Sequence, residues 1–233
     1  MAVVAAVRIS RGFVHDEARN FPWPVPDHRA AQVMHVVLPD GRIHLEIEHL
    51  PLEGITPQML SWWYRVLPIS TVEIDGVDYT FYHLFHLTEH GRVWVEKPAS
   101  DGVPGMGIGA VVARQEWFGP YDSQGKARIT QFSAAGMTAR PLVAGLYLGE
   151  IRHSFEATPT GSRYRVESDI GVQWPLIGSL INALLRRSTF SEEMLVEWER
   201  HQVEEVSMLR YFLPDLYRQR NDGNHYRLEL DRS

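Results

Sequence analysis

The chain contains no cysteine. That excludes disulfides and thiolate ligands, so any bound metal would have to be held by His, Asp or Glu. A basic stripe is also missing. The formal net charge is -6, and the densest basic patch, Arg186-Arg187, reads as a helix end. Nucleic-acid binding, which normally needs a basic face, is therefore not expected. No stretch approaches the ~18 consecutive apolar residues of a membrane span. The opening MAVVAAVRIS has a short apolar run but neither a charged n-region nor an adequate h-region. A soluble, cytoplasmic protein without membrane association is the expectation. There is no P-loop, no Gly-x-Ser-x-Gly elbow, no internal repeat and no low-complexity segment. GMGIGA (105–110) imitates a dinucleotide-binding loop, but the AVVARQEWF that follows reads as a strand. The fingerprint needs a helix there, so a glycine loop between strands is expected.

The 233 residues, 44% of them hydrophobic and 11% aromatic, are enough to bury a sizeable core. We read them as one domain. QVMHVVLPDGRIHLEIEHL (32–50) has the alternation of a hairpin, with Asp40-Gly41 at the turn. ITPQMLSWWYRV (55–66) predicts a short helix with Thr56 as N-cap and Pro57 at its first position. Strands are predicted over 70–74, 79–87, 92–97, 109–118, 127–134, 142–158 and 162–172. Two helices follow, over 174–187 and 191–213, the second capped by Ser191 or Thr189 and ended by Pro214. This order predicts an α+β fold, a curved antiparallel sheet gripping a long C-terminal helix and enclosing a cavity.

Eleven histidines make a His-based site worth seeking. In HQVEEV (201–206), His201 and Glu205 lie four apart, one turn along one helix face, with the right reach for two ligands on one ion. Glu204 is turned away from that face. FHLTEH (85–90) holds His86, Glu89 and His90; read as a strand, it points His86 and His90 to one side. Taken alone, this reads as a polar sheet edge facing water. Glu116 ends an apolar strand, where a carboxylate must be paired, solvated or a ligand. His153 and Tyr164 lie in later strands and could equally be hydrogen-bonded core residues.

Taken in order, MLSWWYRV (59–66), YTFYHLFHLTEH (79–90), QEWFG (115–119), HSFEATPTGSRYRVES (153–168) and HQVEEVSMLRYFLPDLY (201–217) resemble the 2,4-diacetylphloroglucinol hydrolase family, which also holds phloretin hydrolase. The resemblance runs from about Met59 to Tyr217, between an N-terminal arm with its hairpin (1–55) and a tail (218–233). It implies a Bet v 1-like helix-grip fold and hydrolysis of the carbon–carbon bond between an acyl group and a polyhydroxylated ring. It also implies a zinc ion on His86, Glu116, His201 and Glu205, although two His and two Glu suit iron or manganese as well. His153 is implied as the acid facing the ring, with Tyr79, Glu89 and Tyr164 holding ring hydroxyls. The family's strand motif usually reads Trp-His-Pro-x-Asp/Asn-His; here it reads Phe85-His86-Leu87-Thr88-Glu89-His90. The implied partner is a small phenolic ketone, with a homodimer compatible. The alternatives are a polyketide cyclase or isomerase on the same scaffold, or a helix-grip protein that binds a small molecule without turnover.

Overall fold

The computed structural model describes residues 14–230. Its main element is a ten-stranded sheet of antiparallel pairs. A hairpin forms one edge, β1 (Gln32–Val37) and β2 (Ile43–Glu48), with Val37 opposite Ile43. Ile43, Leu45 and Ile47 alternate inward and are almost fully buried, as period-two patterning requires. A short β3 (Leu52–Glu53) leads into helix α1 (Pro57–Val66). Thr56 caps that helix by accepting the Met59 N–H at 3.3 Å, and Pro57 occupies its first turn.

The next segment departs from the sequence reading. After β4 (Thr71–Ile74) and β5 (Val77–Thr80), the expected strand over 79–87 breaks into a helical turn, α2 (Phe81–Phe85). Aromatic residues have modest helix propensity, but Phe81, Leu84 and Phe85 recur at helical spacing and all are buried. Phe81 stacks on Trp63 of α1, with ring centroids 5.0 Å apart. Packing therefore overrides local preference. His86 caps the end of this turn, and His90 starts the next strand, so the two do not share a strand face.

From there the sheet runs β6 (His90–Lys97), β7 (Val111–Phe118), β8 (Tyr121–Ser133), β9 (Gly136–Val143), the short β10 (Leu146–Tyr147), β11 (Gly149–Ala157) and β12 (Gly161–Ile170). The spatial order is β1-β2-β12-β11-β9-β8-β7-β6, so the N-terminal hairpin closes onto the last long strand. The glycine loop between β6 and β7 is as expected, and β7 is a strand. Helix α3 (Gly178–Ser188) follows, then α4 (Glu192–Met208), whose N-cap Ser191 accepts the Met194 N–H at 3.3 Å. Helix α4 buries Leu195, Trp198, Val203 and Val206 in the main core, with His201 buried beside them.

The predicted single helix over 191–213 is interrupted: a 3-10 turn follows α4, and Pro214 opens α5 (Leu213–Arg218). Proline lacks a donor but fits a first helical turn, where none is required. The tail then adds β13 (His225–Arg227), parallel to β4 in a separate three-stranded sheet. The fold is thus mixed α+β, a large curved antiparallel sheet with helices.

Candidate metal centre

Adjacent strands bring the first two side chains together. His90 and Glu116 are directly paired across β6 and β7, so they stand side by side on one face. On β7 that same face carries Val112, Arg114, Glu116 and Phe118, every second residue. Helix α4 supplies His201 and Glu205 from one helix face. The result is a tight meeting of atoms: His90 Nε2 lies 3.2 Å from His201 Nε2 and 3.3 Å from Glu205 Oε2, and His201 Nε2 lies 3.7 Å from Glu205 Oε2. Potential ligand atoms of His90, Glu116 and His201 all fall within 4.8 Å of one another.

The other nitrogen of each imidazole fixes its tautomer. His90 Nδ1–H donates to the Tyr82 carbonyl at 2.7 Å. His201 Nδ1–H donates to Glu89 Oε2 at 2.8 Å. Both Nε2 atoms are left as lone pairs. Burial pushes both imidazoles well below the usual histidine range. Glu205 is pushed up by burial and by the nearby charge of Glu116. Glu116 accepts from the Tyr82 hydroxyl on one oxygen and from Arg114 Nε on the other.

His86, expected as a ligand, is placed differently. Its Nδ1 accepts the backbone N–H groups of Thr88 and Glu89 at 3.3 and 3.1 Å, so its Nε2 carries the proton, which it donates to Glu204 Oε2 at 3.1 Å. Its ring stacks on His201, with centroids 4.5 Å apart. His86, Glu89 and His201 form a second close group, on the Nδ1 side of His201. There Arg200 pairs with Glu89 and Glu204, so the acids are already compensated by a cation. His201 cannot offer the same nitrogen to both sides.

Glu89, expected to hold a ring hydroxyl, instead accepts from His201, from Arg200 at 2.6 Å and from the Gly119 N–H at 2.8 Å. A carboxylate behind a ligating imidazole orients the ring and raises its basicity. Tyr79 packs against Phe21 at a ring distance of 5.1 Å and does not line the cavity.

That cavity, of about 130 Å³, lies beside the cluster. His201, Glu205 and Glu116 reach its wall, as do His153, Tyr64, Tyr82, Arg114 and Gln202. Apolar groups such as Phe85, Val112, Ile129 and Met137 form much of the remainder. The His153 imidazole is pushed down to about 4 by burial and by the Arg114 charge. Its Nδ1 is 2.6 Å from the Tyr164 hydroxyl, which is hydrogen-bonded in turn to the Tyr64 hydroxyl. Tyr164 therefore stands behind His153, and Tyr64 is the tyrosine of the pair on the wall.

Sequence reasoning missed His90 as a cluster member, along with Tyr64, Tyr82, Arg114 and Gln202. The Glu116 strand held a usable signal, since Arg114 and Val112 share its period. Tyr82 was hidden inside the segment read as a strand.

Neither a protein-family profile nor a curated protein sequence matches the chain. Among solved structures, it is similar to protein Ms6760 from Mycobacterium smegmatis, at 9% identity over 77% of this chain and 93% of that one, with a TM-score of 0.44. A protein from Arthrobacter aurescens is similar at 10% identity over 79% and 91%, with a TM-score of 0.44. Ara h 8.0201 is similar at 11% identity over 76% and 99%, with a TM-score of 0.34.

Proposed function

We propose that the chain is a metal-dependent hydrolase on a helix-grip scaffold, cleaving the carbon–carbon bond between an acyl group and a polyhydroxylated aromatic ring. One observation carries the metal. His90 Nε2 and His201 Nε2 face each other 3.2 Å apart as lone pairs, beside Glu205 Oε2, with both imidazole protons committed elsewhere. Facing lone pairs repel in a buried site, and a cation converts each of them into a ligand bond. His90, Glu116, His201 and Glu205 would hold it. Imidazole and carboxylate donors suit zinc, and also iron or manganese. When bound, such an ion supplies Lewis acidity toward a carbonyl and acidifies a water molecule.

The rest falls to the chain's own residues. Hydrolysis adds the water oxygen to the acyl carbon, and the electron pair of the broken bond goes to the ring carbon, which must gain a proton. His153 lines the cavity and relays that proton in this reading: Nε2 gives it to the ring carbon as Nδ1 takes one from the Tyr164 hydroxyl, and the proton shed by the attacking water returns to the chain. With the Tyr164 hydroxyl donating to Nδ1, the imidazole keeps its proton on Nε2, on the cavity side. Tyr64 extends the hydrogen-bonded chain back to the wall. The apolar walls suit a flat ring and exclude bulk water. The resemblance described from the sequence supports the substrate class.

The test is product analysis on metal-loaded protein with monoacetylphloroglucinol in isotopically labelled water. The expected products are phloroglucinol and acetate carrying solvent oxygen. A cyclised or isomerised product would favour the cyclase reading, and an unchanged substrate bound by folded, loaded protein would leave a carrier.

A further inference from the structure

A second cavity, of about 110 Å³, lies further along the same face of β7. Phe118, Leu142, Ile151, Phe190, Met194 and Trp198 give it an apolar wall. It shares two residues with the cavity at the metal cluster, Arg114 and Ile151. Arg114 therefore stands at the boundary. Among the described residues its only side-chain hydrogen bond runs from Nε to Glu116. A third of its side chain, 32%, is accessible, although protein surrounds it; the accessible part borders the cavities. A Cβ placed on Gly125 would lie 3.9 Å from Nη1, so that nitrogen reaches toward the β8 side of the second cavity.

We propose that Arg114 is an anion-recognition residue, and that the paired cavities bind an amphiphilic carboxylate with its head on Arg114 and its apolar part in the Phe118–Trp198 chamber. Three arguments support this. With Nε committed to Glu116, the end-on pair Nη1 and Nη2 remains, and two parallel donors match the two oxygens of a carboxylate. The chamber beyond is mostly apolar, with Asp122, Gln124, Lys126 and Thr189 in the rest of its lining, so a hydrocarbon tail is satisfied along the Phe118–Trp198 side. Charge gives the third. If an ion of charge +2 sits on Glu116, Glu205 and two neutral imidazoles, that site is neutral; Asp122 and Lys126 at the second cavity offset each other, and Arg114 leaves the pair of cavities one charge positive. In a low-dielectric cavity such a charge requires an anion. The binding site stands on the cavity geometry; only the charge argument rests on the metal reading.

The experiment is calorimetric titration of zinc-loaded protein with 4-phenylbutyrate and with its neutral match, 4-phenylbutanamide. A charge-assisted contact predicts about tenfold or more tighter binding of the acid. Arg114→Gln should remove that difference while the amide still binds, and Arg114→Lys should keep part of it. Metal content is read on each variant. Equal affinities for acid and amide, or no binding of either, overturn the proposal. So does a preference for acid that survives Arg114→Gln, which would place the carboxylate on the ion. Should Arg114→Gln lose metal, Met194→Trp decides: it fills the second chamber and should weaken 4-phenylbutyrate about tenfold with metal retained. An unchanged affinity there would overturn the assignment of the tail. These results stand apart from whether acylphloroglucinols are hydrolysed, so either reading can fail alone.

Discussion

An imidazole has two nitrogens, and what one of them bonds decides what the other can do. His86 spends its lone pair on two backbone N–H groups, whereas His90 spends its proton on a carbonyl. The consequence is an ordering of variants. His90→Ala should lose stoichiometric metal, while His86→Ala should keep it, as read by elemental analysis of purified protein. Loss from both to the same extent would mean that the His86 ring has to turn toward the ion. The same reasoning separates Glu205, near both Nε2 atoms, from Glu204, which is tied to His86 and Arg200. Glu205→Gln should lose metal and Glu204→Gln should keep it. His153→Ala should keep metal and folded content yet lower kcat by ~10²- to 10⁴-fold, the usual contribution of an acid-base group. A fall in melting temperature with normal kcat would make His153 a packing residue.

Among the elements, those with strong local signals were readable. Thr56-Pro57 announced α1, Ser191 announced α4, and Asp40-Gly41 with its flanking alternation announced the first hairpin. The four-residue spacing of His201 and Glu205 survives in α4 because a helix fixes it. The segment 81–85 was not readable, since its aromatics suit a strand until Trp63 and Phe212 of the folded core are in place. The pairing of His90 with Glu116 depends on knowing where β6 begins, which no local pattern in FHLTEH states. The glycine loop before β7 was read correctly, but its reason lies in tertiary contact. Gly105 has φ of +88°, its neighbour Met106 donates to the Arg65 carbonyl, and a Cβ there would lie 1.9 Å from that oxygen. Gly105→Ala should therefore destabilise by roughly 1–3 kcal/mol, measured by denaturant unfolding. An unchanged midpoint would show that the loop can move off α1.

For the molecule as a whole, pH acts through buried histidines. His49 is 4% exposed, neither of its ring nitrogens has a hydrogen-bond partner among the described residues, and burial followed by the charge of His153 lowers it from 6.5 to about 3. His153 is lowered to about 4. Below 6.5 the unfolded chain takes up protons that these folded imidazoles refuse, so stability falls as the pH drops toward those values. For His49 the slope approaches about 1.4 kcal/mol per pH unit. His49→Phe should flatten the decline in melting temperature between neutral and mildly acid buffer; an equally steep decline would locate the sensitivity elsewhere. Strand β2 pairs with β12, joining Ile47 to Val166. Nearly the whole sheet must be synthesised between the two partners. On the ribosome, the apolar inward side of the first hairpin therefore waits for a neighbour that has yet to emerge. Contacts this distant in sequence form slowly. During that interval the hairpin is the segment most in need of a chaperone, and a release that comes too early exposes Ile43, Leu45 and Ile47 to other nascent chains.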